Sequence, residues 1–241
     1  MLRRRTKKIE EEYITTRGLK EWKLNKNIFV KIFEEKCAKF NIASNQVKFY
    51  SQQNEDKYII QKILKEKIEE GIFLELGACD GILHSNTKML EDYFGFKGIL
   101  IEPQKHYFEE LEKNRKKCKN YNTAISNSDD EYIIFTGSDA EAGILETINT
   151  NNKINNYKVR NNKLNNIIKK SGFNYIDIMI IDVEGGELDV LKSIDFSFPI
   201  FCIFIEADSD NQEKNKIFGE FLKSKGFSYI ERQGGNEVWI N

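Results

Sequence analysis

Two prolines, two histidines and no C-x-x-C spacing among four cysteines mark what this 241-residue chain does without. The scarcity of proline carries no chemistry of its own. Cys37, Cys79, Cys118 and Cys202 are too far apart for a zinc ribbon or a dithiol redox motif. They read as reduced thiols of a cytoplasmic protein. No apolar run approaches the roughly 20 residues that span a bilayer, so no transmembrane segment is expected. The basic start MLRRRTKK is not followed by a signal-like apolar stretch and reads as a solvated terminus. Charge of one sign is missing too. Lys and Arg total 37 against 38 Asp and Glu, a net charge of -1, which predicts no polyanion partner. There is no N-P-P-Y or D-P-P-Y segment of the kind that methylates base amino groups, so nucleic acid is not the expected partner.

What is present is a series of short apolar runs that end in an acid. The first, IFLELGACDG (Ile72 to Gly81), breaks into a glycine loop, and the second, GILIEP (Gly98 to Pro103), ends at Glu102. The third, IMIIDVEGGE (Ile178 to Glu187), ends at Asp182 and Glu184. In an open α/β sheet, ligands bind beyond the carboxyl ends of the strands, where a glycine loop approaches them and a later acid holds ribose hydroxyls. Gly77 and Gly81 supply the loop, and Glu102 is the ribose acid. Charge selects the cofactor. A dinucleotide needs a G-x-G-x-x-G turn for its pyrophosphate, whereas G-A-C-D-G lacks the second glycine and sets Asp80 against the phosphates. S-adenosylmethionine carries an ammonium and a sulfonium, so Glu75 and Asp80 complement it.

Residues 1–48 are charged and helical in pattern, with Ile28, Phe29, Ile32, Phe33 and Phe40 on one face, and read as an extension packed on the main domain. Residues 49–241 then form one domain in which helices alternate with strands. The expected helices are Asp56 to Ile68, Ser85 to Phe94, Lys105 to Cys118, Leu164 to Ser171, Glu187 to Ile194 and Gln212 to Lys225. The expected strands are Ile72 to Leu76, Gly98 to Glu102, Asn122 to Ile125, Tyr132 to Phe135, Ile176 to Ile181 and Ile200 to Ile205. A terminal hairpin follows, from Phe227 to Glu231 and from Glu237 to Ile240. The Asn-rich stretch Thr147 to Asn166 reads as a surface loop, placed where a substrate lid would lie. This order predicts an α/β, Rossmann-like seven-stranded sheet, mostly parallel with an antiparallel C-terminal hairpin strand.

Six ordered blocks, SQQNED (Ser51 to Asp56), LELGACDG, HSNT (His84 to Thr87), ILIEP, AIS (Ala124 to Ser126) and IDVEGGE, resemble the FkbM-type methyltransferase family over roughly residues 50 to 207. Asn54 stands where that family usually has a glycine, and Cys79 where Asn is frequent. The resemblance implies S-adenosylmethionine-dependent O-methylation of a sugar, a glycan or another small molecule. It also implies that Gln52 and Asp56 stand near the cofactor's methionine end, and that Glu75, Gly77 and Asp80, closed by Gly81, cradle it. Ser85 and Asn86 then meet its carboxylate, Glu102 and Pro103 its ribose, and Ser126 the adenine.

The acceptor hydroxyl must reach the methyl carbon in line, which places a base after the third acidic run. Asp182 is the first candidate and Glu184 the second, with His84 and His106 as alternatives. Should Asp182, Glu206 and Asp208 converge, their oxygens could hold a divalent metal ion. Two other readings are a methyltransferase acting on a nucleic-acid ribose hydroxyl and a non-catalytic cofactor-binding module. The intact acidic strand ends argue against the second.

Overall fold

A computed structural model describes residues 33–35, 37–39, 41–63, 70–137, 142–145, 156–207 and 211–241. Its strands are β1 (Ile72–Leu76), β2 (Lys97–Ile101), β3 (Lys119–Tyr121), β4 (Ala124–Ile125), β5 (Tyr132–Thr136) and β6 (Gly143–Ile144). They continue with β7 (Tyr157–Asn162), β8 (Ile176–Ile181), β9 (Ile200–Glu206), β10 (Ser228–Gln233) and β11 (Asn236–Ile240). The helices are α1 (Glu55–Tyr58), α2 (Lys88–Phe94), α3 (Lys105–Asn114), α4 (Leu164–Ser171), α5 (Glu187–Lys192) and α6 (Gln212–Ser224).

The central strands are mainly apolar, with Glu75 in β1 and Asp177 in β8 among the exceptions, because both faces of the sheet are covered, as parallel sheets require. Side chains alternate across the sheet. Phe73, Leu100, Ile178, Ile180, Cys202 and Phe204 pack on one face with Met89, Leu90 and Phe94 of α2 and Leu111 of α3. Leu74, Leu76, Ile99, Ile101, Met179, Ile181 and Ile203 pack on the other with Leu164 and Ile168 of α4, Val190 and Leu191 of α5, and Phe218 and Leu222 of α6. Phe33, Cys37 and Val47, from the extension, join the first of these clusters; most of residues 1–48, the basic tip included, lies outside the described residues.

Seven strands form the main sheet in the order β10-β11-β9-β8-β1-β2-β3. Neighbours from β9 to β3 run parallel, and β11 runs antiparallel to both β9 and β10. This is the expected mostly parallel sheet with its antiparallel hairpin strand. The register places the site. Leu76 is level with Ile101 and with Ile181, and Ile181 with Ile205. The residues that follow these four, Gly77, Glu102, Asp182 and Glu206, therefore stand side by side on one edge.

Three sequence expectations are revised. Where one strand is expected, Asn122 to Ile125, there are two: β3 lies before that run and ends the main sheet, while β4 keeps only its last two residues and belongs to a four-stranded sheet of order β4-β7-β5-β6. The break is held by Asn122, whose Nδ2 donates to the carbonyls of Glu102 and Pro103 at 2.9 and 3.0 Å. The Asn-rich stretch is a loop only in part, since residues 157–162 are β7, paired with β4 and β5. Residues 147–155 of that stretch lie outside the described residues. The helix expected from Asp56 is α1 followed by a π-helical turn, Ile59–Ile63.

Candidate functional site

Two glycines bracket the loop after β1, and both are set by the protein's own packing. Gly77 has φ +76°, and a Cβ there would lie 2.0 Å from the Asp182 carbonyl oxygen. Gly81 has φ +80°, and its Cβ would meet Arg115 Cγ and Leu111 Cδ1 at 2.6 Å. The loop is thus clamped to β8 on one side and to α3 on the other. Around it, Asn54, Cys79, His84 and Glu184 all adopt positive φ, between 46° and 67°. Non-glycine residues in this left-handed region are costly and gather at functional sites. Asn tolerates the conformation best, which accounts for Asn54 at a position where the family usually has glycine.

The acids of the site divide into those engaged by the chain and those with bonding capacity left. Glu75 is buried, and its carboxylate accepts from Asn86 N at 2.7 Å, Ser85 Oγ at 3.0 Å and Thr87 Oγ1 at 2.6 Å. These bonds hold residues 85–87 as a turn, and α2 begins at Lys88, three residues later than the pattern suggests. Asp56 is fully buried and accepts from Tyr50 N, Ser51 N, Ser51 Oγ and Lys57 N at 2.6–3.2 Å. Asp80 Oδ1 caps its own turn through Ile82 N and Leu83 N at 2.8 and 2.6 Å. Gln52 is exposed, and the neighbouring Ser51 forms a parallel bridge with His84 that draws the SQQNED turn against HSNT.

Glu102 is only 2 % exposed, and each of its oxygens accepts one backbone N–H, from Cys79 at 2.9 Å and from Gln104 at 2.7 Å. Burial pushes its carboxyl up to about 7, against the lowering effect of those two bonds. A carboxylate offers about four lone-pair directions, so two remain for ligand hydroxyls. Tyr157, from β7, donates to Gln104 Oε1 at 3.3 Å beside it. Ser126 Oγ is buried and donates to Asn161 Oδ1 at 3.0 Å, joining β4 to β7 while it accepts from Ser128 N.

At the ends of β8 and β9, Asp182, Glu184 and Glu206 each present an oxygen within 4.8 Å of the others. Asp208, the third acid expected there, lies outside the described residues. Burial, then the charges of Glu184, Glu187, Glu75 and Glu55, raise the Asp182 carboxyl to about 7. Burial and Asp182 raise Glu206 to about 8, opposed by Lys214. Glu187, fully buried, accepts from Gly185 N at 2.9 Å and pairs with Lys214 Nζ at 2.7 Å. Glu55 and Glu187 lie within the SQQNED and IDVEGGE blocks but carry no expected role at the site, and nothing in the sequence pattern singles out Lys214.

Sequence reasoning also missed Arg115. Its guanidinium is fully buried, pairs through Nε with Glu91, and donates to Gly81 O at 3.0 Å, Ser85 Oγ at 3.1 Å and Thr87 Oγ1 at 3.1 Å. A signal was available. In Asn114-Arg115-Lys116-Lys117 an arginine stands among lysines, and only its planar fork serves several acceptors at once.

The sheet order, the glycine loop after β1 and the acids at the strand ends define the S-adenosylmethionine-dependent methyltransferase class. Within that class the chain belongs to the FkbM methyltransferase family, whose domain model matches residues 75–229. No curated protein gives a significant sequence match. Among solved structures, the chain is similar to methyltransferase FkbM from Methylobacillus flagellatus KT, with a TM-score of 0.49 and 12% identity over 86% of this chain and 53% of that one. Aeropyrum pernix fibrillarin, solved with natively bound S-adenosyl-L-methionine, gives a TM-score of 0.42 and 12% identity over 73% and 68% of the two chains. Precorrin-6y C5,15-methyltransferase from Geobacter metallireducens GS-15 gives 0.41 and 10% over 72% and 82%.

The residues present fit the cofactor. Asn86 Oδ1 is buried with no hydrogen-bond partner among the described residues, a cost that a ligand donor relieves; as an acceptor it suits the cofactor's ammonium rather than the carboxylate that the resemblance implies for Asn86. Glu102 retains acceptor capacity for a ribose. Among the described residues no helix is long and apolar enough to cross a membrane.

Proposed function

We propose that this methyltransferase acts on oxygen, transferring a methyl group to a hydroxyl of a sugar, a glycan or another small molecule, with Asp182 as the base. The observation that carries this reading is the place of Asp182. Its backbone touches the cofactor loop at Gly77, and its carboxyl is held near neutrality, where a base both accepts and releases a proton. Bound S-adenosylmethionine supplies the electrophilic methyl group. Asn86 Oδ1 would accept from its ammonium and Glu102 from its ribose hydroxyls, while Asp182 would take the proton of the acceptor hydroxyl as the carbon–oxygen bond forms and the sulfur–methyl bond breaks, leaving S-adenosylhomocysteine. Burial, with the like charges of Glu184 and Glu187, holds the Asp182 carboxylate basic.

Incubation with S-adenosylmethionine and a panel of free sugars, glycans and nucleotide sugars, read by mass spectrometry, tests the reading. A product heavier by one methylene at an oxygen supports it; methylation confined to nitrogen, or to an RNA included as control, overturns it. The same panel with added chelator tests the other use of Asp182, Glu184 and Glu206, a bound divalent cation that lowers the hydroxyl pKa. Loss of activity restored by Mg²⁺ would assign the three acids to metal rather than to proton transfer.

Ser126 provides a milder test of the adenine end. Because its hydroxyl is engaged by Asn161 and Ser128, Ser126→Ala is expected to cost about 1 kcal/mol of stability. Cofactor affinity should change less than about threefold. Thermal melting and calorimetry read the two effects separately; an affinity loss of an order of magnitude would place the hydroxyl on the cofactor instead.

A further inference from the structure

Arg115 lies outside the acids and turns that the family resemblance brings to the site, yet it touches both segments that would face the cofactor. It follows directly on α3 and reaches inward beneath the β1 loop. Its Nη1 holds the carbonyl of Gly81, where the glycine loop closes, and Ser85 Oγ, where the HSNT turn begins. Its Nη2 holds Thr87 Oγ1, on the far side of Asn86. Both hydroxyls donate in turn to Glu75, and Glu75 also accepts the backbone N–H of Asn86. The Arg115 stem packs where a Gly81 Cβ would fall, and the guanidinium lies 5.4 Å from the centre of the Phe73 ring.

Asn86 is therefore fixed on three sides, while its own Oδ1 is buried without a partner among the described residues. A group held this firmly by others and offered no partner of its own is positioned for a ligand. Glu75, with its oxygens already accepting from the 85–87 turn, belongs to the support and not to the contact surface.

We infer that Arg115 is a positioning residue of the cofactor site, acting through Glu75, Ser85 and Thr87 to hold Asn86 Oδ1 at the place of the cofactor's ammonium; the inference rests on the assignment of Asn86 made above. Lysine cannot replace it. One ammonium answers the charge of Glu91 but does not reach the Gly81 carbonyl and both hydroxyls in the plane that a guanidinium spans.

A double-mutant cycle on the full chain, titrated with S-adenosylhomocysteine and S-adenosylmethionine by calorimetry, tests this. Asn86→Ala comes first and is expected to weaken S-adenosylmethionine binding about tenfold. Wild-type affinity in that variant overturns the Asn86 assignment itself. Arg115→Lys is expected to lose about tenfold in the wild-type background, but less than about twofold once Asn86 is already Ala, because the group it positions is gone. Wild-type affinity in a folded Arg115→Lys protein, or losses that multiply in full, would overturn the positioning role while leaving the Asn86 contact intact. Should Arg115→Lys fail to fold by circular dichroism, Arg115→Met with Glu91→Gln removes both buried charges together. That pair enters the same cycle under the same two criteria.

Discussion

Asp182→Asn is expected to lower turnover by about 10²-fold or more while leaving affinity for S-adenosylhomocysteine within about threefold of wild type. The substitution keeps the shape of the side chain and removes its basicity, so the loss falls on the chemical step. Wild-type activity should climb as pH rises from 6 to 8, since burial and Glu184 hold the Asp182 carboxyl up at about 7 and only the ionised form accepts a proton. The variant should lack that rise. Stability moves in the opposite direction. The folded carboxyl sits above its unfolded value of about 4, so the native state favours the protonated form. The resulting stabilisation is complete below the unfolded value and is lost as pH rises through about 7. At pH 8 Asp182→Asn should therefore melt at a higher temperature than wild type. Near-normal turnover, unaffected by chelator, would rule out both the base and a metal at this acid and direct attention to His84 and His106.

Glu102→Ala should weaken S-adenosylmethionine binding by about 1.5–3 kcal/mol, the cost of deleting an acceptor of two hydroxyls from a buried site. Part of that cost is local. Glu102 also accepts from Cys79 N and Gln104 N, so the variant leaves two N–H groups of the loop and strand end without their partner. Glu102→Gln separates the contributions. It retains a carbonyl oxygen and should recover affinity in part. Calorimetry with adenosine alone, which carries the ribose without the methionine, should show the same loss as the full cofactor. Unchanged affinity in Glu102→Ala would remove Glu102 from the ribose.

β8 was legible to the residue and β1 likewise, because an apolar run buried on both faces has sharp ends where polar residues begin. The division of β3 from β4 was not. β4 leaves the main sheet to pair with β7, more than thirty residues along, and Thr123 Oγ1 secures the departure by donating to the Arg160 carbonyl at 3.0 Å. A local pattern carries no trace of so distant a partner. The same limit applies at the site. An acid at the end of a strand announces its position but not what its oxygens accept. Glu102 and Glu75 look alike in sequence, yet one keeps acceptor capacity and the other is occupied by Ser85, Asn86 and Thr87. Asp56 and Asp80, placed near the cofactor by resemblance, also organise their own turns, which no strand-end pattern shows.

The contact between Gly77 and Asp182 is too close to admit even a methyl group between the two backbones. The donor loop and the proposed base therefore form one rigid body, fixed at the seam of two neighbouring strands. A change of acceptor, whether by natural drift or by laboratory grafting, can work through segments that cover this edge from elsewhere in the chain. The distance between methyl donor and base stays constant while the molecule that receives the methyl group is exchanged.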